Sequence, residues 1–484
     1  MIDLKKRTIA LFIIFVMALS RAPLAFGAAD VDAGDFVFDA ETGTILKYEG
    51  RDSGVLTVPK TIGGIAVTAI GDSAFEFCRS LEEVVLPQGL ISIGDYAFAA
   101  CMSLKKITIP AGVTSIGDYA FTSCRSLEEI TIPAAVASIG DGFFAYCAAL
   151  KAINVDSANN AYASDHGVLF NKAKTALLSY PPGKQGTSYT VPSGVVSVGE
   201  NAFSGSVNLL AIHLSADVAA VADWVFNYCA RLEEIDVDAA NNAYASENGV
   251  LFNKDKTALI AYPASKSGNA FAVPDGVRVI AAAAFHGCAA LTEITLPQGL
   301  IEIGESAFAM CEGIGTIAIP EGVTALKKNT FMECANLRTV QVPASVLSFG
   351  WEVFADCHGS MRIFGYSGSQ AEAYALENEI RFMPLEPNFI ITTPKAKFAG
   401  GAIVAEVNTN INVTAQRVQF AVYDTAGKLL GYQTASETLP SKRFSAEFEN
   451  IPQESAKYIK VFIWKSLENM IPISDGAAAD IEAE

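Results

Sequence analysis

Apolar residues return at a fixed spacing along most of the chain. The steps between equivalent phenylalanines are 23 residues, except for two steps of 59, each of which is one repeat plus 36 added residues. A period in the twenties is typical of a solenoid, because one such unit cannot bury its own apolar side chains while a stack of units can. The phenylalanines that mark the repeats are Phe75, Phe98, Phe121, Phe144, Phe203, Phe226, Phe285, Phe308, Phe331 and Phe354.

The spacing inside one repeat predicts a short helix or 3₁₀ turn followed by β-strands. Residues 120–127 place apolar side chains three apart, which suits one or two helical turns. Residues 127–132 then alternate, as a strand does. Pro133 ends the strand because it has no N–H to donate, and Gly140 begins the next coil.

These columns resemble the BspA type of bacterial leucine-rich repeat, whose pattern is roughly IGxxAFxxCxxLxxIxIPxxVxx. The resemblance covers about residues 70–384, with Ser206 in place of Cys, Ser215 in place of Pro, and Ala281 and Lys327 in place of Gly. It implies a leucine-rich repeat solenoid. Because that family is associated with adhesion to host matrix proteins or to other microbes, it also implies a binding role outside the cell.

The first residues predict export from a bacterial cell. Residues 1–27 contain a basic start, an apolar run over 9–19 and a small-residue cleavage site, which together indicate a secretory signal peptide. The run is too short to span a bilayer, so we expect a secreted or cell-surface protein without a transmembrane anchor after cleavage. Residues 28–69 predict a β cap over the first coil, since an open solenoid end exposes core and strand edge.

The two additions lie at about residues 156–197 and 238–279 and repeat each other. Each has an apolar run, Asn-Lys-x-Lys and a second apolar run, which predicts a β-hairpin. They could be binding protrusions or widened coils that pack locally. We favour widened coils, because apolar side chains need a surface to cover them.

The pattern changes near the C-terminus. Residues 371–378 predict a short amphipathic helix in a closing cap, and the solenoid is expected to stop at about residue 384. Residues 385–484 contain strand-like runs at a spacing that suggests a small β-sandwich of immunoglobulin-like or fibronectin-like type. The predicted fold is therefore a leucine-rich repeat solenoid followed by a sandwich-like all-β domain.

Composition argues against several functions. The net charge of −18, or about −21 without the leader, is unfavourable for binding nucleic acid. Nine cysteines share one repeat column; disulfides are conceivable, but the odd count and Ser206 in that column favour buried free thiols.

The sequence contains no cluster of residues that indicates a catalytic or metal-binding site. The four histidines, His166, His213, His286 and His358, have no metal-ligand spacing, and we expect no metal, no cofactor and no enzymatic activity. A catalytic site in the C-terminal domain is a weaker hypothesis, because no His follows His358 and no Cys follows Cys357.

Outward-facing strand positions are the candidate binding residues, since their charge varies from coil to coil while the core columns stay constant. An unconstrained solvated face would look the same. The leading hypothesis is a secreted or surface adhesion protein whose repeat face binds an extracellular protein or glycan; the alternative is a structural spacer of the cell envelope without a specific ligand. The candidates are Glu83, Lys106, Thr108, Glu129, Thr131, Glu234, Asp236, Glu293 and Arg338.

Overall fold

The computed structural model describes residues 33–52, 54–385, 395–399, 402–413, 418–426, 428–434, 441–452, 455–466, 471–472 and 477–482. The predicted signal peptide lies outside the described residues. The chain divides into two compact units, Met1–Val340 with Ser345–Met361, and Gln341–Ala344 with Arg362–Glu484.

The first unit is a parallel β-solenoid, as the repeat predicts. One side of the coils carries short strands, which we call the short-strand stack. Their pairing is parallel and offset by one repeat, as in Ser92–Ile93 beside Ser115–Ile116, so each isoleucine lies over the last. The stack comprises Thr44–Tyr48, Ala69–Ile70, Ser92–Ile93, Ser115–Ile116, Ser138–Ile139, Ala176–Ser179, Ser197–Val198, Ala220–Val221, Ala258–Ala261, Val279–Ile280, Glu302–Ile303, Ala325–Leu326 and Ser348–Phe349.

The strands predicted by the Leu-x-x-Ile-x-Ile spacing form a second side, the long-strand face. In Glu129–Ile132 the side chains alternate between exposed and buried, so Ile130 and Ile132 enter the core. The strands of this face are Gly54–Thr57, Leu81–Val85, Lys106–Thr108, Glu129–Ile132, Ala152–Val155, Ser188–Thr190, Ala211–Leu214, Glu234–Val237, Ala270–Ala272, Glu293–Thr295, Thr316–Ala318 and Thr339–Gln341.

The N-terminal end is covered by antiparallel strands. The 3₁₀ turn Ala33–Asp35 leads into Phe36–Asp39, which pairs antiparallel with Thr44–Tyr48 before the parallel stack begins. A small hairpin, Thr61–Ile62 with Ile65–Ala66, follows. The pairing occupies the edge that the first coil would otherwise leave open.

The third side of each coil, which we call the turn edge, contains isolated turns and no α-helix. Hydrogen bonds span three residues, as from the Cys101 N–H to the Phe98 carbonyl, but left-handed residues such as Tyr96 (φ 54°) and Ala100 (φ 57°) interrupt them. Of the two predicted forms, the structure therefore has the 3₁₀-type turn. The Ser73 N–H donates to the Asp95 carbonyl of the next coil at 2.8 Å, which stacks the turns in register.

The core between the three sides is a stack of phenylalanines beside a column of cysteines. Neighbouring rings lie 5.0 Å apart at Phe75–Phe98 and 5.2 Å apart at Phe308–Phe331. The nine thiols are free, and eight are buried while Cys357 is half-buried. Because Cys124 Sγ donates to the Phe98 carbonyl at 3.2 Å, as its equivalents do along the column, the thiol also satisfies a buried acceptor.

Each addition is built into the solenoid as a wider coil. In the first, Tyr162–Asp165, Val168–Asn171 and Ala176–Ser179 form an antiparallel meander whose last strand continues the short-strand stack. The second has Tyr244–Glu247, Val250–Asn253 and Ala258–Ala261 in the same arrangement. Tyr180 occupies the position of the repeat phenylalanine, and its ring centroid lies 5.4 Å from that of Phe203. The apolar side chains of the addition therefore pack locally.

The second unit contains the helix expected at the end of the repeats. Arg362–Gly365 pairs parallel with Arg381–Pro384, and the helix Gln370–Glu377 lies between them in sequence. Ala371 and Ala375 are its buried side chains, and Ser369 caps its first turn.

The rest of the second unit is the predicted small all-β region. Its ladder is continuous, because Lys395–Ala399 pairs antiparallel with Ala402–Val413 and parallel with Ala477–Glu482. The core includes Phe420, Phe448 and Ile459. The strands are Lys395–Ala399, Ala402–Val413, Val418–Tyr423, Leu429–Thr434, Ser441–Phe448, Tyr458–Ser466, Ile471–Pro472 and Ala477–Glu482.

Candidate functional site

The structure places the nine predicted binding residues on or beside long strands. Eight of them are exposed, and Glu83 is half-buried beside Lys106. Arg338 immediately precedes the strand Thr339–Gln341.

The added coils divide the long-strand face into segments. The Ile153 N–H donates to the Gly167 carbonyl and the Ile235 N–H to the Gly249 carbonyl, both at 2.9 Å. Each hairpin turn therefore lies where the strand of the next coil would otherwise pair. The candidates Glu83 to Thr131 share the first segment, Glu234 and Asp236 lie in the second, and Glu293 and Arg338 follow the second hairpin.

A groove of about 610 Å³ lies in the first segment and brings four of the candidates together. It is lined by residues of the strands Lys106–Thr108 and Glu129–Ile132. These strands lie in neighbouring coils but belong to different sheets. The other five sequence-predicted residues do not line it, although Glu83 lies 3.0 Å from Lys106 Nζ. Lys106, Thr108, Glu129 and Thr131 surround an apolar floor that includes Ile109 and Pro133.

Most charges beside the groove are paired with the adjacent coil. Lys105 Nζ lies 2.7 Å from Glu82 Oε2, and Lys151 Nζ lies 2.7 Å from Glu128 Oε2. The hydrogen bond and charge of Lys151 hold the pKa of the Glu128 carboxyl below its ordinary value. Glu129 has no salt-bridge partner within the described part of the chain, so its carboxylate is available to a ligand.

Asp236, in the second segment, is held by its neighbours instead. Ser246 Oγ donates to Asp236 Oδ1 at 2.8 Å, and His213 Nδ1 lies 3.4 Å from Oδ2. The Ser246 hydrogen bond, despite partial burial, lowers the pKa of the Asp236 carboxyl. Its contacts are therefore explained by packing of the second hairpin.

Sequence reasoning missed a second concave region, on the turn edge. Trp224, Tyr228 and His286 meet there although His286 has no motif in the sequence. The available signal was the presence of large aromatic side chains in turn columns that hold Gly142, Gly205 and Gly287 in other coils.

The described residues contain no group of three or more His, Cys, Asp or Glu side chains placed to hold a metal ion. Over the same residues, no helix combines the length and apolar character that crossing a bilayer requires.

The fold and this face define a leucine-rich repeat solenoid, a class that generally serves as a binding scaffold. The chain belongs to the family described as the BspA type leucine rich repeat region, which matches residues 61–166, 183–258 and 259–381 in six copies. Proteins of this family are typically found at the bacterial cell surface or secreted. No curated protein sequence matches the chain.

Solved structures include similar repeat proteins. A leucine rich cell surface protein from Faecalibacterium prausnitzii is 27% identical over 74% of this chain and 98% of that one, with a TM-score of 0.39. The pneumococcal vaccine antigen PcpA is 19% identical over 71% and 92%, with a TM-score of 0.37. A leucine-rich repeat protein from Eubacterium ventriosum is 20% identical over 66% and 91%, with a TM-score of 0.38.

Proposed function

We propose that this is a secreted or cell-surface adhesion protein that binds an extracellular protein through the groove between Lys106–Thr108 and Glu129–Ile132. The observation that carries the proposal is the exposed Glu129, which has no salt-bridge partner among the described residues and lies beside an apolar floor, while Lys105, Lys106 and Glu128 around it are paired with neighbouring coils. A partner that pairs with Glu129 need not break an existing ion pair. The paired lysines and glutamates then exclude wrongly charged partners.

The two strands that line the groove are not paired with each other. Lys106–Thr108 and Glu129–Ile132 share no ladder, so their facing edges can accept hydrogen bonds from an extended segment, as strand-adding domains do. Export by the predicted leader at residues 1–27 would bring this face into contact with such partners. We further infer that residues 385–484 space the solenoid from its attachment point, and we assign no catalysis to the chain.

The test is binding of the chain without residues 1–27 to immobilised extracellular-matrix proteins and mucin. Glu129→Arg is expected to weaken saturable binding about tenfold or more, because it reverses a strand carboxylate of the groove that has no salt-bridge partner among the described residues. Glu234→Arg is the matched control, since it changes an exposed strand carboxylate in another segment. Equal binding by Glu129→Arg and the parent would support the spacer alternative.

A further inference from the structure

A pocket of about 350 Å³ lies on the turn edge, on a different side of the coils from the groove. The added coils create it. Residues 180–187 join Ala176–Ser179 to Ser188–Thr190, whereas the longer link 140–151 makes the same connection in an ordinary coil. The turn edge is therefore drawn together at each addition: a Cβ on Gly205 would lie 2.9 Å from Tyr146 Cα across the inserted coil.

Aromatic side chains from separate coils meet in this pocket. The ring centroids of Tyr146 and Tyr228 are 4.8 Å apart, and those of Tyr228 and His286 are 4.5 Å apart. Trp224 and Tyr119 also line it, and the Asn201 amide donates to the Tyr119 hydroxyl at 3.2 Å. Two stretches of sequence 82 residues apart thus contribute to one site.

The backbone conformation at three of these aromatic residues is unfavourable for large side chains. Trp224 (φ 59°), Tyr228 (φ 54°) and Tyr146 (φ 63°) are left-handed, a backbone conformation that is unfavourable for bulky residues. Gly142, Gly205 and Gly287 fill the same columns in other coils without that cost. The fold alone therefore does not require large side chains at these positions.

Buried polar atoms in the pocket lack partners. Asn227 is 3% exposed and His286 is 7% exposed. Among the described residues, Asn227 Oδ1 accepts no hydrogen bond and His286 Nδ1 has no hydrogen-bond partner. Asn329 Oδ1, also in the lining, is unpaired in the same sense. Leaving such buried groups unpaired destabilises the folded protein, and a ligand with hydroxyl donors would satisfy them.

The chemistry of the lining selects a ligand class. Glu200 and Glu305 disfavour an anion, and Lys328 Nζ, 3.5 Å from Glu305 Oε1, offsets part of the negative charge that would attract a cation. Burial lowers the pKa of His286 to about 4, so its imidazole is neutral near pH 7. A hydrocarbon would leave the amide oxygens unpaired. A sugar presents a C–H face to aromatic rings and hydroxyls to amides and carboxylates, which matches every group.

We propose that this pocket is a second binding site of the protein and takes a saccharide unit of an extracellular glycan, stacked on Trp224 and hydrogen-bonded to Asn227 and Glu200. The site is separate from the groove that contains Glu129. The chain would then hold a protein partner and a glycan on different sides of the solenoid.

The test is a glycan array probed with the chain lacking residues 1–27, followed by calorimetry with the best-binding oligosaccharide. Trp224→Ala should weaken that binding about tenfold or more through lost stacking. Asn227→Leu should also abolish it, because it removes the buried oxygen that a saccharide hydroxyl would meet. Phe77→Ala is the matched control: Phe77 is left-handed in the column of Tyr228 but lies outside the pocket.

Three results would overturn the proposal. They are the absence of saccharide binding, equal binding by folded Trp224→Ala, and quenching of Trp224 fluorescence by tetramethylammonium or a proline-rich peptide in preference to sugars. Glu129→Arg should leave glycan binding unchanged, so the two sites can fail independently.

Discussion

Residue by residue, the cysteine column shows what the repeat selects. A thiol at this position is small enough for the core and long enough to donate to the carbonyl of the coil before it, as Cys229 Sγ does to Phe203 at 3.1 Å. Burial raises the pKa of Cys229 to about 12, so the thiolate that reacts with oxidants is scarce. Ser206, the exception, is fully buried and its Oγ has no partner among the described residues.

Ser206→Cys should therefore stabilise the solenoid. The longer Sγ would reach the carbonyl of Tyr180, as Cys288 Sγ approaches that of Tyr262 at 3.7 Å in the equivalent coil. We expect a gain of about 1 kcal/mol in the free energy of unfolding, measured by urea denaturation under reducing conditions. Cys229→Ser, the reverse change in the next coil, should cost a similar amount. A neutral or destabilising Ser206→Cys would show that Ser206 is fitted to its site.

Glu200 makes a second prediction at this scale. Burial and the carboxylates of Asp141, Asp223 and Asp118 raise its pKa. The folded protein thus binds this proton more tightly than the unfolded chain, and its stability falls as the pH rises above the ordinary glutamate range. Glu200→Gln should raise the melting temperature at pH 7, and the difference should disappear at about pH 4, where Glu200 is protonated. A difference that is independent of pH would contradict this origin.

Among the elements, the turn edge depends on glycine for close approach between coils. A Cβ on Gly117 would lie 2.5 Å from the Asp95 nitrogen and 2.6 Å from the Gly94 carbonyl carbon. The same approach lets the Asp118 N–H donate to Asp95 Oδ1 at 2.8 Å, so an aspartate ladder ties the turns together.

Gly117→Ala should accordingly destabilise the solenoid by about 1–3 kcal/mol, because backbone atoms cannot yield as a side chain can. Gly89→Ala is the control, since its Cβ would meet only the Val67 carbonyl, at 3.9 Å. Thermal unfolding followed by circular dichroism would separate them. Similar melting temperatures for the two variants would mean that the coils can move apart at low cost.

Some elements of the fold can be predicted from the repeat and others cannot. Strands such as Glu129–Ile132 are predictable because their buried residues repeat in every coil. On the turn edge the structure has the 3₁₀-type turn of the two predicted forms, because inter-coil hydrogen bonds and left-handed residues interrupt a continuous helix. The strand Ala477–Glu482 was missed because its alanines and acidic residues carry no alternating apolar pattern.

For the whole molecule, the repeat determines the class of fold but not the location of its sites. The nine candidate residues could be assigned to an exposed face from their columns alone. Two further features depend on distances between coils, and no single repeat column contains that information. The hairpins at Gly167 and Gly249 divide this face, and Tyr146 and Tyr228 meet across an added coil. The division of the long-strand face and the pocket on the turn edge therefore depend on where the 36-residue additions interrupt the stack.

The measurement that tests the central claim most directly is hydrogen–deuterium exchange of the whole chain. It would be carried out with and without a saturating amount of the matrix protein or mucin that shows saturable binding. The account predicts that protection on binding concentrates in residues 105–133, the coils that line the groove, and is lost in Glu129→Arg. Protection confined to residues 395–482, or spread evenly over the coils, would contradict it.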